Sequence, residues 1–141
     1  MNNINISCIL NDIQKNHDPS LFDFADNKIA KTVFKFHKSL PGYEPTPLVN
    51  LSSLAKKLAI AHLFIKDESK RFDLNAFKVL GASYAIARVL ANKLNLDKDE
   101  MIFNKILSRQ PEFQNTTFVT ATDGNHGRAV AWVSEKLCCK A

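Results

Sequence analysis

The stretch RFDLNAFKVLGASYAIARVLA, residues 71–91, decides the fold of this chain. It contains no proline, and its apolar residues recur with the period of an α-helix. We predict a helix that Asn75 caps, with Lys78 in its first turn among apolar neighbours. The helix dipole disfavours a cation there by only about 0.3–1 kcal/mol, whereas burial disfavours it much more. The sequence therefore predicts a buried lysine.

A buried lysine amine has a chemical use. Desolvation favours its neutral form, which attacks carbonyl carbons and forms Schiff bases. The small residues Gly81 and Ala82 follow one turn later, so a flat group has room to approach the helix. The alternative is structural: the Lys78 side chain extends into solvent or pairs with Asp67 or Glu68.

A second candidate site is the turn TDGNHG, residues 122–127. It follows the β-branched run TTFVTA and precedes the helical pattern RAVAWVSEKL. Ligands of α/β proteins bind where strands end, and the N–H groups that open a helix suit a carboxylate or phosphate. Gly124 and Gly127 permit a tight turn there. The alternative is an ordinary turn, with Asn125 in a left-handed conformation and Asp123 as an N-cap.

The other segments complete an alternation of helices and strands. The patterns predict helices from Asp26 to Leu40 and over 51–58, a strand over 62–65, a polar helix around 101–106 and a strand over 116–121. Such alternation predicts an α/β fold, with a parallel sheet whose two faces are both covered by helices. Two short strands cannot form that sheet alone, and the last helix has no C-cap glycine. We therefore expect the front part of a larger fold.

The composition argues against several classes of protein. The 141 residues carry a formal net charge of +5, but the basic residues are scattered and no run interleaves them with aromatic residues, so we expect no nucleic-acid binding. No apolar span reaches about 18 residues and the start lacks a signal-peptide pattern, so we expect no membrane insertion. The cysteines and histidines lack metal-ligand spacing. These features predict a cytoplasmic protein without a metal site.

The segments PTPLVNLSSLAKKL, KDESKRFDLNAFKVLGASYA and TFVTATDGNHGRAVAW together resemble the fold type II pyridoxal-phosphate enzymes. Within that group they are most similar to the diaminopropionate ammonia-lyase family. Threonine and serine dehydratases more usually have a serine before the FK lysine and before the GNHG turn. The likeness covers roughly residues 20–135. It implies the start of an α/β, fold type II enzyme with a parallel sheet and flanking helices, incomplete in this chain.

The resemblance implies roles for residues of both candidate sites. Lys78 is the lysine that holds pyridoxal 5'-phosphate covalently, and Asn125 hydrogen-bonds the ring hydroxyl of that cofactor. Asp123 lies on the opposite face of the cofactor as a second proton acceptor, so that Lys78 deprotonates one enantiomer of the substrate and Asp123 the other. The substrate carboxylate is held by backbone groups of three residues: Thr122, Gly124 and His126.

The activity implied is the α,β-elimination of 2,3-diaminopropionate to pyruvate and ammonia. The substrate is a small amino acid, and the full-length protein is expected to be a homodimer. A threonine or serine dehydratase-like lyase is the nearest enzymatic alternative, and a non-catalytic truncated product or interaction module is another. Family members hold the cofactor phosphate with a glycine-rich loop, whereas the four glycines here do not cluster. We therefore expect the chain to be inactive alone.

The resemblance also divides the chain. Residues 1–20 are expected to be a flexible N-terminal arm. Residues 21–110 would form the N-terminal part of the large cofactor-binding domain, which carries the Schiff-base lysine. Residues 111–141 would begin the smaller α/β domain.

Overall fold

The structure, a computed structural model, describes residues 26–122 and 124–141. The expected N-terminal arm and Asp123 lie outside these described residues. The described residues form five α-helices and two β-strands, which are α1 Asn27–Lys38, β1 Leu48–Asn50, α2 Ser52–Lys57, β2 Phe64–Lys66, α3 Lys78–Lys93, α4 Phe103–Leu107 and α5 Asn125–Lys136. Three 3-10 helices lie between them, at Arg71–Asp73, Lys98–Glu100 and Gln110–Glu112.

Helix α1 begins where the sequence predicts. The Ile29 N–H donates a 2.6 Å hydrogen bond to the side chain of Asp26, which caps the helix. The apolar stripe of α1 faces the core: Phe36, and Leu40 two residues beyond the end of the helix, are almost fully buried. Each such side chain contributes about 1.5–3 kcal/mol of transfer free energy. The predicted helix over 51–58 is confirmed as α2.

Helices α3 and α5 pack against each other more extensively than any other two elements of the described chain. The buried face of α3 carries Val79, Ile86 and Leu90, and α5 adds Ala129 and Val133 to the same hydrophobic cluster. This cluster extends across the domain boundary expected near residue 110, so the division into domains stays a prediction. No helix in the described ranges is long and apolar enough to cross a membrane.

The sheet differs from the prediction. Strands β1 and β2 pair antiparallel, with Val49 opposite Ile65, and no parallel sheet occurs among the described residues. The run 116–121 forms a single parallel bridge, from Thr117 to Lys140, and Val119 is 89% exposed. The strand predicted there is absent because a strand needs a neighbour, and the described chain places no second strand beside this run.

Helix α3 begins two residues later than predicted, with Phe77 rather than Asn75 at the N-cap position. The preceding residues Phe72, Asp73 and Asn75 have φ values of 50°, 57° and 55°. Such left-handed backbone cannot continue into a right-handed helix, so the helix starts after it. Lys78 is the first helical residue and so lies in the first turn, as predicted.

Candidate functional site

Lys78 is exposed, so the prediction of a buried lysine is wrong for the described chain. Successive helical residues are about 100° apart, and the buried face of α3 begins at Val79. Lys78 therefore shares an outward face with Phe77, Gly81 and Ala85, all exposed. The Phe77 ring is 63% exposed, so this face is apolar but uncovered.

The exposure of Lys78 agrees with the first structural alternative, a side chain that extends into solvent, whereas the second, an ion pair with Asp67 or Glu68, is not found among the described residues. The ion pairs of the described residues join Glu68 to Arg71, Glu100 to Lys105 and Glu112 to Arg109. Asp67 instead accepts a hydrogen bond from the Ser69 N–H at 3.0 Å. The Ser69 hydroxyl, and after it this N–H, lower the pKa of Asp67. The Lys78 amine is thus left available to a ligand.

The glycine turn folds onto the start of α5. Thr122 Oγ1 accepts hydrogen bonds from the N–H groups of Gly124, at 3.2 Å, and Gly127, at 2.9 Å. A side chain at position 127 would collide with the Thr122 methyl group, so glycine is required there. Asn125 and His126 occupy the first turn of α5, and within the described residues their N–H groups have no acceptor. This helix start therefore offers two N–H donors.

Lys78 and His126 line one cavity of about 420 Å³, at the junction of α3 and α5. Four more residues complete its described lining: Phe77, Leu80, Gly81 and Ala82. A Cβ built on Gly81 would meet nothing within 4 Å, so the space above this turn of α3 is open. A flat aromatic ring that carries an aldehyde fits such an apolar shelf beside an amine. The residues present therefore fit the ring and aldehyde end of pyridoxal phosphate.

The other predicted site residues lie at the same turn. Thr122, Gly124 and Asn125 are exposed, and His126 is half-buried. The catalytic prediction for Asp123 falls outside the described residues. No cluster of metal-ligating side chains occurs in the part of the chain that the structure describes.

A larger cavity of about 680 Å³ lies elsewhere, between α1, α3 and the segment 98–101. Asp26, Arg88 and Lys98 are among its lining residues, and none of the predicted site residues is. Mixed charges around an open cleft do not specify a reaction, so size alone does not identify the site. The smaller cavity is the better candidate because it contains an amine, an imidazole and a helix N-terminus.

Sequence reasoning missed a buried arginine in the segment that leads into α3. Arg71 is 4% exposed, and its guanidinium donates to both carboxylate oxygens of Glu68, at 2.7 and 3.0 Å. It also donates to the Glu44 carbonyl at 2.7 Å and to Thr46 Oγ1 at 3.0 Å. These bonds hold the proline-rich loop against the segment that leads into α3. The only local signal was a glutamate three residues before an arginine.

The ion pair between Arg71 and Glu68 shifts the pKa values of both side chains. The hydrogen bonds from Arg71 hold the pKa of Glu68 below its ordinary value, although partial burial opposes that shift. The same pairing raises the pKa of Arg71. Both groups therefore stay ionised at neutral pH, and the pair persists.

His37 is a second residue that sequence reasoning missed. Its Nε2 lies 2.8 Å from the carbonyl oxygen of Leu80, which belongs to the first turn of α3 and lines the Lys78 cavity. Burial lowers the pKa of His37, the Leu80 carbonyl opposes this shift, and the charge of Arg71 adds to it. The neutral imidazole thus ties α1 to the turn that carries Lys78.

Comparison with known proteins identifies the family. A family model described as pyridoxal-phosphate dependent enzyme matches residues 39–141. The diaminopropionate ammonia-lyase of Salmonella typhimurium is 47% identical over 118 residues, which is 82% of this chain and 29% of that protein. Its Escherichia coli counterpart is 44% identical over 128 residues, covering 82% of this chain and 32% of that protein.

Comparison with solved structures finds the same family of relatives. The apo form of Escherichia coli diaminopropionate ammonia-lyase superposes with a TM-score of 0.74 at 43% identity, over 83% of this chain and 31% of that one. The same enzyme in complex with an aminoacrylate–PLP azomethine reaction intermediate gives 0.71 at 42% identity, over 83% and 28%. This chain thus spans about three tenths of the length of the curated relatives it matches. The site geometry, the family model and these relatives agree, and the chain belongs to the pyridoxal-phosphate-dependent enzymes.

Proposed function

We propose that this chain supplies the lysine and the glycine turn of an ammonia-lyase that removes ammonia from 2,3-diaminopropionate and yields pyruvate. The observation that carries the proposal is the cavity that Lys78 and His126 share at the junction of α3 and α5. Two segments separated by 48 positions along the sequence meet there. An amine and a helix N-terminus suit a ligand that has both an aldehyde and an anionic group.

Each residue of the site has a task in this proposal. Lys78 would hold the aldehyde end of pyridoxal phosphate and, as a free amine once the amino group of the substrate has taken its place, would accept the α-proton of the substrate. Asn125 donates to the ring hydroxyl, and Asp123 accepts the proton of the other enantiomer. The bound cofactor supplies an electron sink for the carbanion. The substrate carboxylate lies at the turn, on backbone groups of Thr122, Gly124 and His126.

The helix start can hold that carboxylate. The N–H groups of Asn125 and His126 have no acceptor within the described residues, and the positive end of the helix dipole favours an anion. The Gly124 N–H already donates to Thr122 Oγ1, so a carboxylate would share or replace that bond. The His126 N–H is therefore a better proposed contact than the Gly124 N–H.

Because Lys78 is exposed, the proposed function needs another surface that covers its side chain. Lys78 is uncovered in the described part of the chain. We propose that the part of the family's fold that this chain does not match covers the face of Phe77 and Lys78 and supplies the parallel sheet and the phosphate-binding loop. The complete protein would be a cytoplasmic homodimer.

Covalent labelling tests the proposal. A fused protein is made, in which this chain is followed by the length of the Salmonella typhimurium relative that it does not match. Pyridoxal phosphate and borohydride are added, and the labelled lysines are located by peptide mass spectrometry. We expect label at Lys78 in the fused protein and little in the isolated chain. Label that remains after Lys78→Ala but disappears after Lys70→Ala, an exposed lysine nearby, would refute the assignment.

Substrate assays separate the enzymatic alternatives. The fused protein should release pyruvate from 2,3-diaminopropionate faster than from serine, and faster than it forms the corresponding keto acid from threonine. The reverse order would favour a dehydratase. Asp123→Asn should abolish activity on one enantiomer of diaminopropionate and spare the other, whereas equal effects on both would remove the second proton acceptor.

A further inference from the structure

The start of α3 has little local support. Within the described residues, Phe77 at the N-cap position makes no side-chain capping hydrogen bond, and the first turn contains no acidic residue. The backbone just before it is left-handed at Asp73 and Asn75, with φ values of 57° and 55°. Helix ends that lack such contacts open readily. Lys78 is the first residue of α3, so contacts from elsewhere in the chain are needed to fix its position.

His37 of α1 makes such a contact. Its Nε2 lies 2.8 Å from the carbonyl oxygen of Leu80, which is 43 positions further along the chain. A carbonyl oxygen only accepts hydrogen bonds, so Nε2 carries a proton and donates it to this bond. The ring of Tyr84, one turn beyond Leu80, packs edge-on against the His37 ring, with centroids 6.2 Å apart. These contacts hold the His37 ring against the first two turns of α3.

The Leu80 carbonyl has a second side-chain donor, but that donor belongs to the same helix. Ser83 Oγ donates to this carbonyl at 3.0 Å. Because Ser83 moves together with α3, its hydrogen bond does not set the position of α3 relative to α1. Of the two side-chain donors, only His37 can do so.

We propose that His37 is a positioning residue, whose hydrogen bond to Leu80 holds the first turn of α3 and thereby places the amine of Lys78. Leu80 and Lys78 are two positions apart and line the same cavity. They are separated by only about 3 Å along the helix axis, so a shift of the turn at Leu80 moves Lys78 with it. The reaction of an amine with a bound aldehyde is sensitive to a displacement of about 1 Å.

His37 acts on Lys78 through the helix and not on a ligand. It is not among the residues that form the described lining of the cavity. The inference rests on the proposed function only for the use that is made of the Lys78 amine.

Hydrogen exchange in the 141-residue chain tests the effect of His37 on α3. His37→Leu removes the donor, whereas His37→Gln keeps an N–H group at a similar reach. We expect amides of residues 81–84 to exchange about fivefold faster in His37→Leu than in the unaltered chain. His37→Gln should restore most of the protection. The amides of Leu90 and Ala91, near the other end of α3, should change less.

Labelling with pyridoxal phosphate and borohydride tests the effect on the amine. In the fused protein, the ratio of label at Lys78 to label at Lys70 should fall at least about fivefold in His37→Leu. His37→Gln should recover at least about half of the original ratio. Ile106→Val is the stability control, because this fully buried side chain of α4 loses a methyl group while the donors to Leu80 remain. It should leave the ratio unchanged.

Three results would each overturn the positioning role. They are unchanged exchange at 81–84 in His37→Leu, an equal rise in exchange along the whole of α3, and equal effects of His37→Leu and His37→Gln. A labelling ratio that is the same in His37→Leu as in the unaltered fused protein would also overturn it.

The exchange measurement requires no cofactor, so the two proposals fail separately. Faster exchange in His37→Leu, together with no label at Lys78 in the unaltered fused protein, would refute the ammonia-lyase proposal and retain the effect of His37 on α3. Label at Lys78 that does not depend on His37 would refute the positioning role alone.

Discussion

Arg71 and Glu68 form a largely buried, bidentate ion pair within the segment that leads to Lys78. Arg71 Nε lies 2.7 Å from Glu68 Oε2, and Nη2 lies 3.0 Å from Oε1. Because the same guanidinium also binds the Glu44 carbonyl, one side chain joins two segments of backbone, the proline-rich loop and residues 68–71. The left-handed residues Phe72 and Asp73 follow at once, so the ion pair holds a strained turn in place.

Removal of Arg71 should destabilise the chain. Arg71→Met leaves the Glu44 carbonyl without its donor, and it leaves Glu68, whose side chain is only 16% exposed, with the Thr46 hydroxyl but no countercharge. We expect a loss of about 2–4 kcal/mol in the free energy of unfolding, measured by urea denaturation. Arg109→Met is the matched control, because the Arg109–Glu112 pair has the same spacing but side chains 38% and 50% exposed. That change should cost less than about 1 kcal/mol. Equal losses would show that burial of the pair is unimportant.

His37 makes stability depend on pH. Its pKa in the folded chain is below 6.5, chiefly because of burial, so the unfolded chain takes up the proton first as pH falls. This contribution to stability is complete above pH 6.5 and is lost as pH falls from 6.5 through the folded-state pKa. Urea unfolding of His37→Gln between about pH 5.5 and 7.5 should lack this decline.

A matched histidine provides the control for that experiment. His62 is exposed, where its ring stacks on Phe64, so His62→Gln should leave the decline unchanged. A decline of equal size in His37→Gln would refute the assignment to His37.

The meeting of the two candidate sites was predictable, but the environment of Lys78 was not. Helical periodicity placed Lys78 in the first turn of α3, and resemblance placed it beside the GNHG turn. Periodicity reveals which face of a helix is apolar, but it does not reveal whether another element covers that face. Phe77 and Lys78 are on such an uncovered face, so the predicted burial failed.

Long-range partners account for the other differences. The β-branched run 116–121 has strand propensity, but a strand forms only against a neighbour. Arg71 is buried by contacts with residues up to 27 positions away, which no local pattern encodes. By contrast, the cap at Asp26 depends on a donor only three residues away, and the start of α1 was predicted from the local pattern.

The Thr122 hydroxyl should stabilise the glycine turn. Thr122→Val keeps the shape of the side chain but removes the acceptor of the Gly124 and Gly127 N–H groups. We expect a loss of about 0.5–2 kcal/mol in the free energy of unfolding. Thr122→Ser retains the hydroxyl and should recover most of that loss. Equal losses in the two variants would assign the effect to packing.

Gly127→Ala should have a larger effect than loss of the hydroxyl. The added methyl group would collide with the Thr122 side chain, so the turn must move away from α5. We expect a loss of about 1–3 kcal/mol, measured by thermal and urea unfolding. The double variant Gly127→Ala, Thr122→Gly removes the obstacle and should recover part of this stability. No recovery would show that the strain arises elsewhere.

Gly81 lies on the exposed face of α3, where an added side chain should change helix stability and labelling of Lys78 in opposite directions. A Cβ at this position meets nothing within 4 Å, so Gly81→Ala should stabilise the helix by about 0.5–1 kcal/mol in the isolated chain. The same methyl group enters the cavity of Lys78 and His126, and labelling of Lys78 by pyridoxal phosphate in the fused protein should fall. Ala85→Gly, at an exposed position one turn later, should lower stability by a similar amount and leave labelling unchanged. Labelling that is unaffected by Gly81→Ala would place the cofactor ring away from this face of α3.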